Sequence, residues 1–301
     1  MKGSSIVVVG GGMAAIALVK EFRKLDAAAA VTMFTMSDGS VYSKPRISNA
    51  LSQQATPASI VQMTAEAFAA ENNINIVAGC TVERIDTERN ILNTSAGSFP
   101  YASLVLATGS EPKSANCEGD AAQSCYTLDT LDSYTMFRGR LTSSSRVLVM
   151  GAGLVGCEIA NDLAAMGHRV TLVEAGPYPL ASLAPRSIGF ALQQALTKAG
   201  VSFLFRKIVQ RLAHDNGAVR VTLSDETQFE VDLVISAIGA MPRVALAANA
   251  GLEVARGIVV NNRLATSNPR IYAIGDCAEV DGVNLPFVAP LLAQARALAR
   301  T

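Results

Sequence analysis

The chain has 301 residues, half of them hydrophobic, with no Trp and few aromatics. That length predicts about two domains, and the composition suits cores packed from Ala and Val rather than an aromatic binding surface. Basic and acidic residues number 25 each, so no charge excess points to nucleic acid or an anionic membrane.

In chain order, the apolar run 6–9 is short enough for a buried parallel strand, and Gly10-Gly11-Gly12-Met13-Ala14-Ala15 and a helical pattern over 14–25 follow it. Three glycines and the charged stretch Lys20-Glu21-Phe22-Arg23-Lys24 interrupt this start, unlike a secretory signal, and no apolar stretch reaches the roughly 20 residues that span a bilayer. A cytoplasmic protein is expected. Residues 31–36 read as a strand and 37–40 as a turn. The proline of Tyr42-Ser43-Lys44-Pro45 pushes Lys44 toward an extended conformation. A helix is predicted over 63–72, strands over 74–77 and 81–85, and a buried strand over 104–109 ending at Thr108-Gly109. The pattern then repeats. Strand 147–150, Gly151-Ala152-Gly153-Leu154-Val155-Gly156, helix 156–166 and strand 170–174 form a βαβ unit of about 30 residues. A helix over 188–200, a strand over 201–205, a hairpin at Asp215-Asn216-Gly217 and a strand closing at Gly239 follow. Residues 271–276 are expected to be the last strand and 291–300 the last helix.

Both glycine loops have the form G-x-G-x-x-G/A between a strand and a helix, and each position has its own task. Gly10 and Gly151 permit the tight turn, Gly12 and Gly153 let backbone N–H groups approach a pyrophosphate, and Ala15 and Gly156 let the helix pack close to the strand. The helix N-terminus adds unpaired donors and a partial positive charge. One such match is a weak signal. Two, in the same context, predict an α/β protein with two Rossmann-like doubly wound domains that binds two dinucleotides. Glu174 ends the strand after the second loop, where a carboxylate accepts hydrogen bonds from an adenosine ribose and repels a 2′-phosphate. That predicts NADH; a surface glutamate paired with Arg169 is the other reading. Cys80, Cys117, Cys125, Cys157 and Cys277 contain no C-x-x-C and form no metal-ligand spacing with His168 or His214. No metal is expected, and most of the thiols read as buried and unreactive.

In order and spacing these motifs resemble the two-dinucleotide-domain flavoprotein reductases, and within them the NADH:rubredoxin and flavorubredoxin reductases. The resemblance is carried by the first glycine loop, Tyr42-Ser43-Lys44-Pro45, Ala107-Thr108-Gly109, Gly151-Ala152-Gly153-Leu154-Val155-Gly156-Cys157-Glu158, Ser236-Ala237-Ile238-Gly239 and Tyr272-Ala273-Ile274-Gly275-Asp276-Cys277-Ala278-Glu279. It covers residues 4–301. It implies an FAD domain made of residues 1–112 and 242–301, with the NADH domain, 113–241, inserted between. FAD would meet Gly10, Gly12, Met13 and Ala14 at its pyrophosphate, Val82 at its adenine and Asp276 at its ribityl chain, with Thr108, Gly109 and Val288 nearby. Met36-Ser37 stands where many relatives place an acidic ribose ligand, with Asp38 next to it. NADH would meet Gly151, Gly153, Leu154, Val155, Gly156, Glu174 and Gly239.

Lys44 and Glu158 match positions beside the isoalloxazine ring, where a cation favours the reduced anionic ring and a carboxylate holds the cation in place. Alone, they read as a solvated loop lysine and an exposed helix residue. The redox-active Cys pair of the superfamily's disulfide reductases has no counterpart in residues 42–51, and Cys277 reads as structural. Hydride is therefore expected to pass from NADH to FAD, and electrons onward to rubredoxin, flavorubredoxin or a similar small iron protein. No acid, base or nucleophile is required, and no catalytic residue is assigned. Family members continue past the last helix into a smaller domain, so the resemblance implies that this chain lacks it and holds FAD less firmly. Two other readings stay open: an NADH oxidase or reductase component for a different partner, and a nucleotide-binding protein with impaired turnover.

Overall fold

The computed structural model describes residues 5–301. It divides into two compact units. The first comprises the chain up to Ser43, Val61–Glu111 and everything from Met241, and the second comprises Lys44–Ile60 and Pro112–Ala240.

The first unit is built on a five-stranded sheet in the order Ile271–Ala273, Ser103–Leu106, Ile6–Val9, Val31–Phe34, Asn75–Val77. All four pairings are parallel, with Val8 opposite both Met33 and Val105. Helices Met13–Arg23 and Val288–Ala299 pack against one another. The central strands are buried on both faces, which is why they read as unbroken apolar runs rather than alternating ones. Met33, Phe34, Phe68, Leu104 and Leu106 are fully enclosed in this core. Arg23 ties two helix ends together by donating to Asn72 O at 2.5 Å and to Asn73 O and Ala29 O at 2.8 Å, which satisfies carbonyls that have no partner within a helix. A separate antiparallel sheet joins Val82–Asp86, Ile91–Thr94 and Gly97–Pro100.

Three expectations need correction here. The helix predicted over 63–72 begins at Ala65, because Thr64 caps it by accepting from Ala67 N–H at 3.2 Å. Val61–Met63 is instead a strand, antiparallel to Val41–Tyr42. Residues 271–276 are not the last strand: Ile271–Ala273 gives way to a 3-10 turn at Gly275–Cys277, and Ala278–Val280 then pairs in parallel with Ile258–Val260. The last helix begins at Val288, ahead of Pro290, because proline is tolerated in a first helical turn whose N–H groups lack intrahelical acceptors.

The second unit repeats the plan with a four-stranded parallel sheet, Val201–Phe205, Arg169–Glu174, Arg146–Met150, Leu233–Ser236. Helices Leu154–Ala165 and Arg186–Lys198 connect its strands, and Val209–Asp215, Ala218–Leu223 and Gln228–Val231 form an antiparallel meander. The hairpin lies where Asn-Gly predicts it, with φ of 48° at Asn216 and 86° at Gly217, the left-handed pair that a two-residue turn demands. The expected boundaries left residues 44–60 with the first unit, whereas in the structure they group with the second. The cause is Asp162, buried on helix Leu154–Ala165, whose carboxylate accepts from Leu51 N–H at 2.7 Å, Ser52 N–H at 3.1 Å and the Ser52 hydroxyl. Tyr134 adds a hydroxyl bond to Ala55 O at 2.7 Å. Among the described residues, no helix is long and apolar enough to cross a membrane.

Candidate dinucleotide sites

In the first unit, parallel pairing puts the carboxyl ends of all five strands at one sheet edge, and Gly10, Thr108 and Asp276 follow three of them. Gly10 turns the chain with φ +118°, and a Cβ on it would lie 2.2 Å from Ala107 O. Only glycine fits. Gly12, by contrast, has nothing within 4 Å of its Cβ direction, and it caps helix Met13–Arg23 without a side-chain partner for the N-terminal N–H groups. Open space in front of free backbone donors is what a pyrophosphate requires. Gly275, φ +77°, approaches Ala14 so closely that a Cβ would stand 2.7 Å from the Ala14 methyl, which brings Asp276 to the same edge. Asp276 Oδ2 accepts from the Ser110 hydroxyl at 2.9 Å, leaving further acceptor capacity. Val288 opens the last helix and is partly exposed. Val82 opens the separate antiparallel sheet.

The place of the ribose acid is taken by a self-contained turn. The Ser37 hydroxyl lies 3.1 Å from that of Thr35 and accepts from Gly39 N–H at 3.3 Å. The Asp38 carboxylate accepts from the Ser40 N–H and hydroxyl at 2.9 and 2.8 Å. Asp38 thus faces its own loop.

Sequence reasoning missed Arg243. Its N–H donates to Gly109 O at 3.0 Å, its carbonyl accepts from the Thr108 hydroxyl at 3.0 Å, and its guanidinium reaches Thr108 O at 3.3 Å. It fixes the Thr108-Gly109 turn from a distant part of the chain. No local motif announces such a contact.

The second unit reproduces the geometry. Gly151 has φ +98°, and a Cβ there would lie 2.6 Å from Ala237 O. Gly156 packs its helix so tightly on the turn that a Cβ would be 1.9 Å from Gly151 O, while Gly153 faces open space. Leu154 and Val155 are exposed at the helix start. Glu174 Oε2 accepts from Ala152 N–H and Oε1 from Gly176 N–H, each at 2.6 Å. The carboxylate is locked beside the glycine loop, with lone pairs still available. Arg169 starts the same strand that Glu174 ends, opposite Arg146, so the reading of Glu174 as its ion-pair partner does not hold. A cleft of about 240 Å³ lies here, lined by Gly151, Glu174, Ala175, Lys207, Ile208 and Ile238. Gly239, φ +105°, is exposed at the neighbouring strand end.

Lys44 is exposed at the start of a 3-10 segment, Lys44–Asn49, and Glu158 is exposed on helix Leu154–Ala165. The expected pairing of the two is replaced: Glu158 accepts from the Ser48 hydroxyl, which also lies 3.0 Å from Pro45 O. Cys277 is fully buried among Leu106 O and Ile274 O, at 3.4 and 3.2 Å, and burial pushes its thiol above the usual range. Among the described residues, no group of three or more His, Cys, Asp or Glu side chains is placed to hold a metal ion.

A family model described as pyridine nucleotide-disulphide oxidoreductase matches residues 4–297. A nitric oxide reductase FlRd-NAD(+) reductase of Aeromonas hydrophila is 42% identical over 297 residues, covering 98% of this chain and 76% of that protein. A rubredoxin-NAD(+) reductase of Alcanivorax borkumensis is 41% identical over 297 residues, covering 98% and 78%. Among solved structures, the covalent putidaredoxin reductase–putidaredoxin complex aligns with a TM-score of 0.91 at 29% identity, over 98% of this chain and 74% of that one. A ferredoxin reductase for the CYP199A2 system of Rhodopseudomonas palustris gives 0.92 at 28%, over 99% and 75%. With two glycine-turn cradles of matching geometry and a family model that spans nearly its whole length, the chain belongs to the pyridine nucleotide-disulphide oxidoreductase family.

Proposed function

We propose that this chain is an NADH-dependent flavoprotein reductase that binds FAD in its first unit and NADH in its second, and passes electrons to rubredoxin, flavorubredoxin or a similar small iron protein. The observation that carries the reading is the repetition of one phosphate-ready turn, with Gly12 and Gly153 both open in front of free helix N-termini. Relatives above 40% identity named for rubredoxin and flavorubredoxin reduction support the acceptor. Five free thiols support a reducing, cytoplasmic setting.

FAD held there would supply the redox chemistry that side chains lack, linking a two-electron donor to one-electron acceptors. The residues hold and orient. Gly10, Gly12, Met13 and Ala14 turn backbone donors toward the FAD phosphates, and Asp276, steadied by Ser110, accepts from hydroxyls of its sugar chain. Gly151, Gly153, Leu154, Val155 and Gly156 do the same for the NADH phosphates, and Glu174 accepts from the adenosine ribose. Ser48 sets the direction of the Glu158 carboxylate. Ser37, Val82, Thr108, Gly109, Gly239 and Val288 shape the surrounding walls.

Anaerobic reduction by NADH, followed by rubredoxin, flavorubredoxin and oxygen in turn, tests this. The yellow colour should bleach, and the iron protein should restore it faster than oxygen does. Restoration by oxygen alone would make the chain an NADH oxidase. Purification without flavin, and no uptake of it, would leave only nucleotide binding.

A further inference from the structure

Among the described residues that line the cleft beside Gly151, two are charged: Glu174 and Lys207. Their backbones are joined, with Lys207 N–H donating to Glu174 O at 3.2 Å. Their charges are engaged elsewhere. The Glu174 carboxylate accepts from Ala152 and Gly176 N–H, and the Lys207 ammonium lies 2.6 Å from Asp225 Oδ2. Asp225 does not line the cleft; it stands on the turn between strands Ala218–Leu223 and Gln228–Val231. Bonds within that turn fix it. Leu223 N–H donates to Thr227 O and Glu226 N–H to Leu223 O, both at 3.0 Å, with φ of 65° at Glu226. The Asp225 carboxylate also accepts from Thr227 N–H at 3.3 Å. Ser224 N–H donates to Ile208 O at 3.0 Å, and Ile208 N–H to the Ser224 hydroxyl at 3.3 Å, so the turn is tied to the residue next to Lys207.

We propose that Asp225 is a second determinant of nucleotide choice: by pairing with Lys207 it keeps the cation of this cleft from serving a 2′-phosphate. The inference rests on the reading that NADH lies beside Glu174, and deepens it. Asp225 acts through Lys207 and is a positioning residue.

A lysine ammonium on its flexible four-carbon stem has three donors and no fixed direction. Released in this cleft, it would do two things. It would attract a phosphate dianion, and it would compete with ribose hydroxyls for the Glu174 carboxylate. Pairing with Asp225 suppresses both, and each favours NADH. The pair stays charged at neutral pH, because the Lys207 bond, followed by Thr227, holds the Asp225 carboxyl down to about 2. Lys207 is 26% exposed and Asp225 45%, so water screens the pair and its weight in the preference is modest.

Asp225→Asn tests this, since it keeps an acceptor for Thr227 N–H and removes the charge. In the holoprotein at low ionic strength, the NADPH-to-NADH ratio of kcat/KM should rise about three- to fivefold. The gain should shrink at about 0.5 M salt, where charges are screened over a few ångströms. Calorimetric titration with adenosine 2′,5′-bisphosphate and with AMP reads the same effect without turnover: the variant should bind the first more tightly, by a similar factor, and not the second. In the double variant Asp225→Asn/Lys207→Met the gain should vanish. An unchanged ratio in Asp225→Asn, with NADH still bound, would overturn this proposal alone. So would a gain that persists in the double variant, which would pass the role to exposed Arg206, whose N–H donates to Gly176 O at 3.1 Å. Failure of the unaltered protein to bind either nucleotide would overturn the placement of NADH beside Glu174, and this proposal with it.

Discussion

Glu174 is the residue on which nucleotide choice should turn. Its position was legible from the strand that it ends; its two anchors, Ala152 N–H and Gly176 N–H, were not, because they depend on how the turn folds back. At an effective dielectric near 20, unit charges about 4 Å apart interact by roughly 4 kcal/mol, and a third of that is about tenfold in binding. Glu174→Arg should therefore move the NADPH-to-NADH preference in kcat/KM upward by about tenfold or more, since a guanidinium pairs with a 2′-phosphate. Steady-state kinetics with both nucleotides measure it, and an unchanged ratio places Glu174 away from the ribose. Lys44 and Glu158 teach the opposite lesson. The family resemblance brought both to notice, yet the bond that Glu158 makes is with Ser48, a hydroxyl no motif singles out.

The elements separate two duties that the G-x-G-x-x-G pattern merges. Gly156 is required by packing, since its Cβ would collide with Gly151 O, whereas the Cβ of Gly153 would point into open space. Gly156→Ala should destabilise the second unit by about 1–3 kcal/mol through overpacking. Gly153→Ala should cost within about 1 kcal/mol as a poorer helix cap and yet weaken NADH binding, because the methyl occupies the phosphate approach. Urea unfolding and NADH titration of both variants decide the matter; undiminished binding by Gly153→Ala would mean that no phosphate comes there. Segment Lys44–Ile60 shows where element-level reading stops. Its membership of the second unit hangs on Asp162, a buried carboxylate taking three donors, and nothing in the segment's own pattern foretells a partner so far along the chain. Asp162→Ala strands those donors, at about 1–3 kcal/mol each where buried. Faster hydrogen exchange at Leu51 and Ser52 should accompany the loss of stability.

At the scale of the molecule, parallel strands and two repeated turns were readable because each parallel strand carries its own apolar run and each turn its own glycines. Histidine makes the two units differ in a way that composition only hints at. Both histidines of the chain lie in the second unit, and only His168 is buried. Its Nδ1 accepts from Ser145 N–H at 3.2 Å, so its proton sits on Nε2, which has no partner among the described residues. Burial lowers its pKa below the ordinary 6.5. The unfolded chain then takes up a proton on His168 at a pH where the folded one does not, so stability rises with pH there. The contribution is fully present above the unfolded value and fades as pH falls from it toward the folded one. Acidification from about pH 7.5 to about pH 5.5 should therefore weaken the second unit selectively. Three buried thiols report on the units separately: Cys157 on the second, Cys80 and Cys277 on the first. In urea, the midpoint at which Cys157 becomes open to labelling should fall with pH, with little change for Cys80 and Cys277. His168→Leu should lower the Cys157 midpoint at neutral pH, by orphaning Ser145 N–H, and at the same time flatten its pH dependence. A slope that survives the substitution would trace the acid sensitivity to a group other than this imidazole; carboxylates such as Asp232, held low by its bond to Arg146, lose their contribution only below the ordinary carboxylate range and so outside this window.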